Sequence, residues 1–240
     1  MVSRDTGDPV VEVSNCLFPD DLLYDLEANV WARGEPDKTT TLGITCIYSA
    51  VAGRIETVKF KPIGTFLERG KSVATIESAK FFGAVRTPVS GTLVEINQEL
   101  LSKPSLANKH PYTNGWFARM QDSHCDEEFL GEIEGLLAPK FAEHKLKSLI
   151  EEFHIRCFSV YPDYEISGIG GECPETLSQL DQLMQSIGED ESVHLVTDNS
   201  IADKDVPQWV STRGHKILET TREGQLLHII IGKLHWSKDV

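Results

Sequence analysis

The chain has 240 residues, 40% hydrophobic and 25% charged, a balance close to that of soluble globular proteins, which excludes wholesale disorder. Its 37 acidic against 23 basic residues give a net charge of −14, which excludes a phosphate backbone as a direct partner, because affinity for nucleic acid begins with Lys and Arg displacing counterions. No stretch could span a bilayer, and the opening MVSRDTGDPVVEVSN puts Asp and Pro where a signal peptide needs an apolar run, so a cytoplasmic protein is expected.

From Tyr24 to Met120 the sequence consists of short β segments between turn signals: Ile44 to Tyr48, Ile55 to Phe60, Val73 to Ile76 and Thr92 to Ile96. AGRIETV and SGTLVEI form a faint repeat, in which Gly53 and Gly91 are followed at equal spacings by Ile55 and Val58, and by Leu93 and Ile96, as if two similar β units fold together. Within ESAKFFGAVRTPVSG, the strand SVATI ends before Glu77 and another is expected from about Ala84, which leaves Lys80 at the turn, projecting into water. A long side chain on a rigid hairpin tip suits a covalent arm that visits other active sites, and it equally suits an ordinary surface lysine.

Around Glu127 to His154 the periodicity becomes helical, with Phe129, Ile133, Leu136 and Leu137 on one stripe and Phe141, Leu146, Leu149 and Ile150 on the next. Pro139 separates the two helices; the first is expected to close the β domain and the second to be a linker. After Ile155 the order is strand, helix, strand, helix, strand, strand, with both helices on one face of a small sheet. Leu177, Leu180, Leu183, Met184 and Ile187 form the buried stripe of the first of these helices. The expected domains are 1–137, mostly β; 138–154, a helical linker; and 155–240, a two-layer β-α-β-α-β-β domain.

Five cysteines, Cys16, Cys46, Cys125, Cys157 and Cys173, are an odd number without a CxxC, which suits neither a disulfide framework nor a structural zinc site. Sulfur chemistry is therefore expected at single thiols, and His124-Cys125 is read as a solvated turn. In GIGGECPETLSQLDQLM, Pro174 suits a first helical position and places Cys173 at the N-cap, where the helix dipole favours a thiolate or persulfide against the opposing charges of Glu172 and Glu175. A small buried cysteine is the alternative. The sequence contains no acid–base pocket motif, metal motif or Gly-rich nucleotide loop, so a carrier acted on by other enzymes is expected.

ESxK, PVSG, VEIN, Pro-x-Leu-x-Asn and Tyr-x-x-Gly-Trp follow one another along the chain, and by this ordered series residues 18 to 137, roughly, resemble the H protein of the glycine cleavage system. The resemblance implies a lipoyl/barrel-sandwich-hybrid fold with lipoate in amide linkage at Lys80. Glu77 matches the family glutamate three residues earlier and is expected to be read by the attaching enzyme. Phe81, Phe82 and Ala84 depart from the small residues and the glutamate usual after the lysine, and Ala28-Asn29-Val30-Trp31 replaces His-Glu-Trp. These departures fall where a lipoyl-attaching enzyme and a decarboxylase would make contact; Phe81 and Phe82 read either as an apolar rest for a dithiolane or as plain packing.

From about 164 to 233 the chain resembles TusA-type sulfur carriers, through Gly-x-x-Cys-Pro-Glu and the later TDNSIADKDVPQW, which implies a persulfide on Cys173. Thr176 replaces the family's second Pro, Ser167 stands where an Asp is usual, and Lys204, Asp205 and Arg213 offer a docking surface or a solvated face. Together the resemblances imply a lipoate-bearing sulfur carrier that relays sulfane sulfur between Cys173 and Lys80 in lipoate-dependent sulfur oxidation or trafficking, with sulfurtransferase as the enzymatic activity in question. The partners implied are a lipoate ligase or lipoyl transferase and a heterodisulfide-reductase-like complex or other sulfurtransferases, with neither nucleic acid nor membrane. The alternatives are an aminomethyl carrier for glycine cleavage and an unmodified interaction scaffold.

Overall fold

The computed structural model describes residues 9–121 and 135–233, in two units that meet in the chain between Cys157 and Phe158. In the first unit, β1 (Val10–Val13) and β2 (Cys16–Pro19) form a hairpin turned at Ser14 and Asn15, both at positive φ, as tight two-residue hairpin loops require. β3 (Leu23–Asp25), β4 (Val30–Gly34) and β5 (Thr39–Ile44) continue into a seven-stranded antiparallel sheet. That sheet is completed by β7 (Phe66–Leu67), β10 (Gly91–Ile96), β11 (Ala118–Gln121) and β12 (Leu136–Leu137), in the order β12-β3-β4-β5-β11-β10-β7. β6 (Ile55–Phe60), β8 (Ser72–Ser78) and β9 (Phe82–Arg86) make a separate three-stranded sheet. Leu42, Ile44, Leu93 and Met120 from the large sheet pack with Ile55, Val58, Val73, Ile76 and Val85 from the small one, so the two repeated segments lie in different sheets of one core.

The expected strand Ile44 to Tyr48 is corrected: the strand ends at Ile44, and α1 (Cys46–Ala52) follows. Thr45 caps this helix by accepting from the Tyr48 N–H, and Gly53 ends it at φ 68°. Two further short helices, α2 (Glu99–Ser102) and α3 (Leu106–Lys109), lead back to the large sheet. The expected stripe of Phe129, Ile133, Leu136 and Leu137 divides: Leu136 and Leu137 are extended and pair with β3, while Phe129, Ile133 and the His124-Cys125 turn lie outside the described residues.

α4 (Pro139–Glu152) is the helix expected as a linker. Its Ala142, Leu146 and Ile150 are buried against Phe18, Leu22, Tyr24, Trp31, Ile47 and Tyr112, so the helix covers a second core of the first unit. The expectation that no disulfide forms is also corrected. Cys16 and Cys157 are bonded across a sequence separation of 141 residues, a proximity created by the tertiary packing of α4 and the β1-β2 hairpin, which cysteine spacing cannot report.

In the second unit, β13 (Tyr164–Ser167) pairs parallel with β14 (Ser192–Thr197), and β16 (Leu226–Gly232) and β15 (Lys216–Glu223) add antiparallel strands in the order β13-β14-β16-β15. α5 (Cys173–Ser186) and α6 (Ala202–Arg213) cover one face of this sheet. There Leu180, Met184, Val206 and Val210 meet Val193, Leu195, Ile229 and Ile231, the two-layer arrangement expected from the element order. The other face carries His194 and His228, joined at 2.9 Å through ring nitrogens, with the Phe158 ring 4.6 Å from His194.

Candidate functional site

Lys80 lies in the tight turn between β8 and β9. Ser78 builds this turn: its N–H donates to Phe81 O at 2.9 Å, its hydroxyl accepts from the Phe81 and Lys80 N–H groups, and the same hydroxyl donates to Ala52 O at 2.6 Å. The hairpin tip is thereby fastened to the C-terminal end of α1. Tyr48 of α1 adds a second fastening, with its ring 5.8 Å from that of Phe81 and its hydroxyl donating to Ala84 O at 3.2 Å. Burial pushes the Tyr48 hydroxyl up to about 12, so it stays protonated and remains a donor. Gly83 leaves room for this cluster, since a Cβ there would lie 2.3 Å from Phe81 Cε1 and 2.7 Å from the Tyr48 hydroxyl.

On this anchored tip Lys80 is exposed, and Glu77 and Phe82, paired directly across the two strands, are exposed beside it. Phe81 packs inward on Tyr48, while Phe82 is 72% exposed, so the two phenylalanines have different surroundings. An amine at a rigid turn apex, free of packing, fits attachment of a lipoyl group in amide linkage.

The motif residues downstream hold α1 in place. Asn108, 2% exposed, accepts from the Ile55 N–H at 2.9 Å and donates to Ser49 O, Ser49 Oγ and Gly53 O. Asn97 donates to Asn114 O and Trp116 O and accepts from the Glu99 N–H. The Tyr112 hydroxyl accepts from the Cys46 N–H at 3.0 Å, and Gly115 packs so closely on Leu106 O that a Cβ would lie 2.6 Å from it. Sequence reading missed α1 and with it the support under the turn, although Thr45 before an apolar run and Gly53 after it carry the cap signals.

In the second unit, Cys173 begins α5. The expectation that it is the N-cap is corrected: Glu172 is the N-cap, with extended backbone, and Cys173 is the first helical residue, with Pro174 second. The loops after the parallel strands β13 and β14 meet here, Gly168 N–H donating to Val196 O and Gly170 N–H to Asp198 Oδ1 at 2.9 Å. Ile169 and Ile201, on these loops, are exposed. The expected lowering of the thiol pKa is corrected as well. Cys173 is 5% exposed, and burial pushes its pKa up, helped by its hydrogen bond to Asp205 of α6 and by that carboxylate's negative charge. Asp205 thus belongs beside the thiol, while Arg213 is paired with Asp181 at 2.8 Å.

Residues 22–148 match the family model described as glycine cleavage H-protein, and residues 168–233 match that of sulfurtransferase TusA. The chain is 37% identical over 151 residues to glycine cleavage system H protein 2 of Aquifex aeolicus, covering 63% of this chain and 91% of that protein. It is 39% identical over 150 residues to probable glycine cleavage system H protein 2 of Saccharolobus solfataricus, covering 62% and 97%. A solved glycine cleavage system H protein from Mycobacterium marinum aligns with 25% identity and a TM-score of 0.45, over 53% of this chain and 98% of that one.

Proposed function

The chain belongs to the glycine cleavage H-protein family and carries a TusA-type domain behind the H-type one, and from that premise we propose that it is a two-site sulfur carrier. In this reading Lys80 bears lipoate, Cys173 bears sulfane sulfur as a persulfide, and sulfur passes between the two in lipoate-dependent sulfur oxidation or trafficking. The observation that carries it is the pairing, on one chain, of an exposed lysine on an anchored hairpin with a thiol at a helix start ringed by strand-end loops.

When attached and reduced to its dihydro form, lipoate would supply a dithiol that exchanges with sulfur–sulfur bonds. The Ser78 and Tyr48 contacts hold the base of the arm, so only the side chain of Lys80 sweeps through solvent. Glu77 and Phe82 give the attaching enzyme a carboxylate and an apolar contact next to the target amine. Asp205 accepts the thiol proton of Cys173 as the sulfur attacks a persulfide donor; the sulfane sulfur moves to Cys173 and the donor leaves as a thiolate. Lipoate ligase or lipoyl transferase, and a heterodisulfide-reductase-like complex or other sulfurtransferases, are the partners of this reading.

In this reading the protein works in the cytoplasm, where the dithiol on the Lys80 arm stays reduced, while the Cys16–Cys157 disulfide is buried away from cellular thiols. No helix among the described residues is long and apolar enough to cross a membrane. Intact mass of protein from its own host, with peptide mapping of Lys80 and Cys173, tests the reading. A lipoyl increment on Lys80 is expected, together with a labelled sulfur that moves from Cys173 to the arm and is lost in Lys80→Arg. Label that stays on Cys173 in protein whose lipoyl arm has been reduced to the dihydro form refutes the relay.

The names of the relatives favour one second reading, an aminomethyl carrier in glycine cleavage. Turnover of glycine decarboxylation reconstituted with the lipoylated chain would support it.

A further inference from the structure

The sulfurs of Cys16, Cys46 and Cys157 all lie within 4.8 Å of one another in the first unit. Cys16 and Cys157 are bonded, Cys46 is a free thiol, and all three are buried. The β1-β2 hairpin supplies Cys16, α1 supplies Cys46 as its first residue, and Cys157 is the last residue of the unit. A thiol held within 4.8 Å of a disulfide by three separate parts of a fold is one small shift from the separation that exchange needs.

We propose that these three cysteines form a thiol–disulfide exchange centre, separate from Lys80 and Cys173, whose rearrangement unclips the segment that leads into the second unit. The Cys46 thiolate attacks Cys16 Sγ; a Cys16–Cys46 bond forms and the Cys16–Cys157 bond breaks. Cys157 leaves as a thiolate and takes up the proton that Cys46 gave up, so no electrons are gained or lost. The segment after α4 then loses its covalent tie to β2 and is held by non-covalent contacts alone, among them the backbone bonds Phe153 N–H to Leu149 O, His154 N–H to Glu151 O and Ile155 N–H to Ile150 O, and the packing of Ile155. Burial pushes the Cys46 thiol up to about 11, with the Tyr112 hydroxyl as its side-chain hydrogen-bond partner, so the centre is slow at neutral pH and quickens as the thiol ionises.

Peptide mapping of the full chain after acid quench, alkylation and non-reducing digestion tests this. The wild type is expected to yield the Cys16–Cys157 pair with Cys46 alkylated, and a growing share of Cys16–Cys46 when held at pH 10 before the quench. Exposed to glutathione disulfide, Cys157→Ser should form Cys16–Cys46 and Cys16→Ser should form Cys46–Cys157. Trypsin should cut after Arg156 at least tenfold faster in Cys157→Ser than in the oxidised wild type. Cys46 that stays alkylatable in folded variants and in the alkaline wild type overturns the proposal. So does an unchanged cleavage rate at Arg156, or a thiol-bound metal ion in the isolated protein. If neither variant folds, the alkaline wild-type map decides alone: no Cys16–Cys46 pair refutes it.

Discussion

Gly83 shows how tightly the lysine turn is specified at the level of one residue. A methyl group there would overlap both Phe81 and the Tyr48 hydroxyl, and overpacking of this kind costs roughly 1–3 kcal/mol. Gly83→Ala is expected to displace the hairpin tip and to slow lipoylation of Lys80 by an attaching enzyme, measured by mass, more than it lowers the melting temperature of the unit. At Cys173 the adjustable neighbour is Asp205. Burial is the largest cause of the raised thiol pKa and would persist in Asp205→Asn, but the hydrogen bond to a carboxylate and its charge would go. The variant's alkylation rate at neutral pH should rise several-fold, and its pH–rate profile should shift to lower pH; an unchanged profile would dismiss Asp205 as the proton holder. The position of Lys80 was legible because turn position follows from local chemistry. The environment of Cys173 was not, because its decisive neighbour arrives on a later helix.

Among the elements, the α5 and α6 helices and the four strands around them are readable from periodicity, since Leu180, Met184, Val206 and Val210 repeat at helical spacing toward one core. α1 is not, because seven residues with an apolar run pass equally for a buried strand. One of its supports is a buried amide: Asn108 joins α3 to both ends of the α1-to-β6 connection. Asn108→Ala would leave the buried Ile55 N–H without that acceptor, a loss of roughly 1–3 kcal/mol for an unsatisfied buried group. Denaturant unfolding of the full chain should show that loss in the first unit's transition. Alkaline pH should weaken the same region. The Cys46 thiol is raised from 9.0 to about 11 by burial, so the unfolded chain loses this proton first as pH climbs. The stabilisation, on the order of 3 kcal/mol, is complete below pH 9 and disappears between pH 9 and about 11. Tyr24 and Tyr112, raised mainly by burial, act in the same direction. Melting curves between pH 7 and 11 should fall over that window, and less steeply in Cys46→Ser.

For the molecule as a whole, separate cores imply separate unfolding. The first unit draws on two clusters and a disulfide, the second on one cluster of its own. Calorimetry should resolve two transitions, and reduction should lower only the first, by several degrees, because the bridge closes a long loop of the unfolded first unit. A single transition that shifts as one would contradict that independence. The division into an H-type and a TusA-type part was legible from motif order, but the seam was not, since Cys157 and α4 join the first part through tertiary contacts, with Cys16, Trp31 and Ile47 among them.

The burial of α4 has a practical consequence for anyone dissecting this chain into its halves. A cut after Leu137 would strip the lid from Phe18, Trp31 and Ile47 and leave a sticky, aggregation-prone fragment, while the other half would begin with an amphipathic helix parted from the core it covers. Severed after Cys157 instead, each piece keeps its own oily interior sealed, and both should stay monodisperse on gel filtration.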